Sequence, residues 1–111
     1  MASAAYSISK AAVMRFCQFL MLQYGEQGVN SFACHPGGVA TELAQGLPDV
    51  YKARLVDTPE LAGDTMVWLT RERREWLSGR YVAANWDMVE LEAMKEKIVE
   101  ENLLRFRFQL E

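Results

Sequence analysis

The chain has 111 residues, of which 50% are hydrophobic and 24% charged, and it carries a net charge of −3. That balance fits one globular unit and leaves no room for two domains. It argues against a nucleic-acid binder, which would show a basic patch. The longest apolar run, Phe19 to Leu22, is far short of a membrane span.

In chain order, a helical pattern from Ala4 to Tyr24 stops at Gly25, with Gly28 just beyond. One stripe of it runs Ile8, Ala12, Phe16, Phe19 and Leu20, and a second runs Val13, Cys17, Met21 and Tyr24. A helix apolar around most of its circumference is covered on more than one side. Val29 to His35 reads as a short strand, bounded by Gly28 and by Pro36-Gly37-Gly38. Thr41 to Asp57 is a loop or lid with apolar groups at Leu43, Leu47, Val50, Tyr51 and Leu55. Thr58 offers an N-cap and Pro59 a first helical residue for a helix to about Leu69, with Leu61, Ala62, Met66 and Leu69 on its buried side.

The clusters Arg71 to Arg74 and Arg105 to Arg107, interleaved with Glu72, Glu75 and Phe106, read as solvated faces. Trp76 to Arg80 lead into a second strand, Tyr81 to Ala84. A last helix follows, about Met88 to Leu104, with Leu91, Met94 and Ile98 inward and a Lys97–Glu101 pair outward. The tail Arg105 to Glu111 alternates like an edge strand. Cys17 and Cys34 have no metal-ligand spacing and sit in apolar runs, so they read as buried free thiols in a reducing cytoplasm. The α-β-α-β-α order makes this an α/β chain, with about three main helices and two to three short strands of parallel sheet.

Two constellations carry chemistry. Tyr6 and Lys10 stand one helical turn apart, about 6 Å along the axis. An ammonium there favours a phenolate, which suits a general acid/base acting on an alcohol or carbonyl oxygen. Any Tyr-x-x-x-Lys on a helix shares this geometry, so the surroundings decide. Ser3, Ala4, Ala5, Ser7, Ser9, Ala11 and Ala12 are all small and admit a close ligand. The second constellation is Gly37 and Gly38 at a strand end, where bare backbone allows a tight turn and a close approach. His35, beside them, has no partners for a catalytic triad and reads as structural.

The string Ala5-Tyr6-Ser7-Ile8-Ser9-Lys10-Ala11-Ala12 resembles the active-site helix of short-chain dehydrogenases/reductases. Pro36-Gly37-Gly38-Val39-Ala40-Thr41 is similar to the family's P-G-x-V-x-T loop, and the likeness continues through Thr58-Pro59-Glu60 and Ser78 to Val82. The resemblance implies the C-terminal part of a Rossmann-like doubly wound parallel sheet. It also implies NAD or NADP as cofactor and hydride transfer between a small-molecule alcohol and a ketone. Tyr6 would be the acid/base, and Lys10 would support it and hydrogen-bond the nicotinamide ribose. Pro36 and Gly37 would shape the cofactor loop, the Val39 backbone would meet the carboxamide, and Thr41 would hydrogen-bond the cofactor. Leu43 to Leu55 would cover the substrate.

The resemblance further implies that residues 1–111 are one incomplete domain lacking the N-terminal dinucleotide-binding half. None of the seven glycines forms the Gly-rich turn that holds a pyrophosphate, and neither Ser3, Asn30 nor Asn85 matches the family's Ser and Asn. The helix near residues 4–24 is expected to pair with a second copy or with a full-length relative. The alternative expectation is a non-catalytic truncated homologue acting as a dimerisation or interaction module, or a remnant. Neither reading calls for a nucleic acid or a membrane, and both fit a cytoplasmic protein.

Overall fold

The structure is a computed structural model that describes residues 3–108 and residue 110, with the side chains of Glu42 and Leu43 outside that description. Helix α1 runs Ala4–Tyr24. Ser3 starts it by accepting the Tyr6 amide on Oγ at 3.1 Å, which satisfies one of the first-turn donors left without an intrahelical partner. The Gly25 amide closes the other end on the Met21 carbonyl, and a short 3-10 turn leads to Gly28 at φ 88°, a left-handed conformation that suits glycine.

Strand β1, Phe32–His35, and strand β2, Arg80–Ala83, pair in parallel, in register from Phe32 opposite Arg80 to His35 opposite Ala83. Between them the chain makes a 3-10 turn at Glu42–Gly46, the short helix α2 at Asp49–Lys52, and the crossover helix α3 at Pro59–Thr70. After β2 come α4, Met88–Ala93, and α5, Lys95–Glu100. Five α-helices and a two-stranded parallel sheet among the described residues give a partial α/β Rossmann-like arrangement. Leu69, Leu77, Val82, Leu91 and Ile98 form its buried core, on the face of the sheet covered by α3, α4 and α5.

On α1, only Cys17 and Gln18 are buried, and the Cys17 thiol lies 3.7 Å from the Phe32 carbonyl. Most of both apolar stripes faces outward, Phe16 at 61% exposure.

The sequence-based expectations need several corrections. The first strand starts at Phe32, because the Ser31 amide is taken by the Ser78 hydroxyl at 3.1 Å. Helix α3 buries Thr65 with Leu69 while Met66 is exposed; the Thr65 hydroxyl donates back to the Leu61 carbonyl at 2.8 Å, so it is buried without an unmet donor. The expected last helix is two short ones, and it ends before Asn102 and Leu104, which take φ 51° and 62°. Met94, at the break, is exposed, and Lys97–Glu101 is not an ion pair of the described residues.

The tail is irregular rather than a strand. Its carbonyls at Leu104 and Phe106 accept from the Tyr81 amide and the Gln18 side chain, while Gln109 and Glu111 lie outside the described residues. Lastly, Arg74 is not on a solvated face: it is 2% exposed and stacked 3.6 Å over the Trp68 ring. Cys34 is half-buried, and burial raises its thiol pKa.

Candidate active site

At the C-terminal end of β1 lies a cavity of about 460 Å³. Parallel α/β sheets form their ligand crevices outside these strand ends, where neighbouring loops diverge. Tyr6, Gly37, Val39 and Thr41 all line it. So do Ser3, the cap of α1, and Leu47 and Leu55 from the segment after Thr41. Leu43, expected in that same segment, has its side chain outside the described residues.

Two expected site residues do not line the cavity. Lys10 sits one turn along α1, its Nζ 5.6 Å from the centroid of the Tyr6 ring. An ammonium at that distance is attracted by the ring face. Pro36 is exposed and fixes the chain as it leaves β1. Tyr6 itself is 47% exposed and lines the cavity from the first turn of α1.

The glycine turn differs from its sequence reading in one respect. Gly37 and Gly38 do face the cavity. The space a side chain would need is nonetheless filled by the chain itself. A Cβ on Gly37, which has φ 92°, would stand 2.8 Å from Asp57 Oδ2, and one on Gly38 would stand 3.0 Å from the Arg54 carbonyl. The two glycines are therefore required by the returning chain at least as much as by any ligand. His35 belongs to the same turn and also lines the cavity; its Nδ1 accepts the Gly37 amide at 3.0 Å.

Sequence reasoning missed Asp57, whose Oδ2 accepts the Gly38 amide at 2.7 Å. An Asp ahead of Thr-Pro signals only a helix entry, and nothing local relates it to a turn 19 residues earlier. Burial raises the pKa of Tyr81, with further repulsion from Cys34, but neither residue lines this cavity. A second cavity, of about 390 Å³, lies under α4 and α5 among Trp86, Leu91, Met94 and Ile98. It is nearly all apolar, and one of its two carboxylates, Asp87, is occupied in capping α4. Among the described residues no group of three His, Cys, Asp or Glu is arranged to hold a metal ion, and no helix is long and apolar enough to cross a membrane.

A family model for short chain dehydrogenase matches residues 1–52, which include α1 and the Pro36 to Thr41 turn. Short chain dehydrogenase mpl6 of Monascus purpureus is 51% identical over 97% of this chain and 37% of its own length. Short chain dehydrogenase andI of Emericella variicolor is 46% identical over 91% of this chain and 35% of its own. Short chain dehydrogenase pigC of Monascus ruber is 43% identical over 94% and 35%. The chain thus spans little more than a third of the length of the curated relatives it matches. No solved structure matches it. Over nearly its whole length the chain therefore matches a fragment of the short-chain dehydrogenase/reductase family.

Proposed function

We propose that these residues form the proton-transfer and nicotinamide-facing part of an NAD(P)-dependent oxidoreductase that interconverts an alcohol and a ketone. The observation that carries this reading is the one cavity shared by Tyr6, Gly37, Val39 and Thr41. Its lining suits a nicotinamide. The Ser3, Tyr6 and Thr41 hydroxyls offer polar partners to a carboxamide and a carbonyl, while Val39, Leu47 and Leu55 offer apolar surface to a flat ring. The bound nicotinamide would supply or accept the hydride.

The chain's own residues do the rest. The Tyr6 hydroxyl gives its proton to the ketone oxygen in one direction and takes it from the alcohol in the other. The Lys10 ammonium beside the Tyr6 ring steadies the negative charge left on that oxygen. Thr41 and the Val39 backbone hold the ring that reacts, and Leu47 and Leu55 keep water from it. None of the seven glycines forms the Gly-rich turn by which a dinucleotide's pyrophosphate is usually held.

The test is a titration of the purified chain with NADH and NADPH, followed by nicotinamide fluorescence. Saturable binding that Thr41→Ala weakens and Tyr6→Phe leaves intact supports the reading. In any preparation that turns over, Tyr6→Phe should lower kcat by about 10²-fold or more, the usual worth of a positioned acid/base. A folded chain that binds neither nucleotide removes the enzyme reading for this polypeptide. The exposed apolar face of α1 favours a second reading, a non-catalytic module that docks on a full-length relative.

A further inference from the structure

We infer that Asp57 is a positioning residue for this site, tying the cofactor-facing turn to the base of the lid; the inference rests on the reading just proposed. Two hydrogen bonds run between the same pair of residues in opposite directions. The Gly38 amide donates to Asp57 Oδ2 at 2.7 Å, and the Asp57 amide donates to the Gly38 carbonyl at 2.8 Å. The first has a carboxylate acceptor, which makes it stronger than a bond between neutral groups. Asp57 is half-buried, so solvent competes only partly for that carboxylate.

The tie closes residues 39–56 into a loop whose two ends are held by one residue. That loop carries Val39, Thr41, Ala44, Leu47 and Leu55, half of the cavity lining. The Gly37 to Val39 turn and the segment that returns through Leu55 are therefore tied to each other at the Gly38–Asp57 pair. Close packing reinforces it: Gly37 lies so near that a Cβ there would meet Asp57 Oδ2 at 2.8 Å and Cβ at 3.0 Å. Because Asp57 already takes the Gly38 amide, the first backbone donor this turn can offer a ligand is Val39. The tie thus sets which part of the turn faces the nicotinamide.

Amide hydrogen exchange on the whole chain tests this directly. Asp57→Ala should speed exchange of residues 38–56 by about tenfold to a hundredfold, the effect of losing one charge-assisted bond, while β1 and β2 keep their protection. Asp57→Asn retains an Oδ acceptor and should recover most of the protection. Nicotinamide-nucleotide affinity should follow the same order, weakest in Asp57→Ala and largely restored in Asp57→Asn. Should Asp57→Ala not fold, Gly37→Ala opens the tie from the other side and should give the same local pattern.

Unchanged exchange in residues 38–56 overturns the inference. So does a loss of protection spread equally over β1 and β2, which would make Asp57 a general stabiliser. A wild-type chain that binds no nucleotide sinks the enzyme reading, whereas the exchange pattern still decides whether the tie exists.

Discussion

Arg74 shows how much of this fold is held by single side chains that no local pattern reveals. Its Nε donates to the Trp68 carbonyl at 2.9 Å, Nη2 reaches Glu72 at 2.7 Å and Nη1 reaches Glu92 at 3.1 Å. Both carboxylates are more than half exposed, at 59% and 53%, so water screens them and each pair contributes under about 1 kcal/mol. The buried carbonyl bond and the stacked Trp68 ring matter more. Arg74→Ala should cost about 2–4 kcal/mol, read as a lower urea midpoint at unchanged slope, and Glu92→Gln under about 1 kcal/mol. The sequence could not foretell this. Five charged residues in a row, Arg71 to Glu75, describe a solvated turn unless a partner 18 residues away is known to fold over it.

Elements begin and end where their caps dictate, and of these the Thr58 start of α3 and the Gly25 stop of α1 were legible. Ser3, Thr58 and Asp87 each accept first-turn amides of the helix they start, and Gly25 and Gly28 close α1. In α3 the Thr58 Oγ1 accepts the Leu61 amide at 3.3 Å, and Pro59 occupies the first position, where no amide is needed. Thr58→Ala should therefore lower stability by about 1 kcal/mol, while Thr58→Ser or Thr58→Asp keeps it; thermal unfolding followed by circular dichroism checks this.

What periodicity misjudged was phase and continuity. Met66 and Thr65 differ by one position, and a threonine that bonds its own helix backbone can take the inward place. Beyond α5, the left-handed turns at Asn102 and Leu104 are held by tertiary bonds. Arg80 donates to Asn102 Oδ1 at 3.2 Å, and the Tyr81 amide donates to the Leu104 carbonyl at 2.8 Å.

At the scale of the molecule, one face of the sheet has a core and the other has only the partial cover of α1. Ile8, Val13, Phe16, Phe19 and Leu22 on that helix are all exposed. A contiguous apolar surface of this kind marks an interaction site. The purified chain should self-associate in sedimentation velocity, and Phe16→Arg with Leu22→Arg should return it to monomer without changing its circular dichroism. A monodisperse wild-type monomer would rule out pairing of copies through α1. Tyr6, Gly37, Val39 and Thr41, which share one cavity, were legible because they fall in two short strings, each with local geometry of its own. The sequence did not reveal Asp57 or Arg74, because long-range closure leaves no periodic trace.

The bond from Tyr81 to Leu104 has a consequence for how this sheet can grow. On the outer side of β2 the Tyr81 amide is taken by the Leu104 carbonyl of the chain's own irregular end, whereas the outer side of β1 has no strand beside it among the described residues. An edge left bare is a template for another strand. Growth is therefore easier on the β1 side. Two copies that met along β1 would make a four-stranded sheet with the Leu104 bond to Tyr81 at each rim.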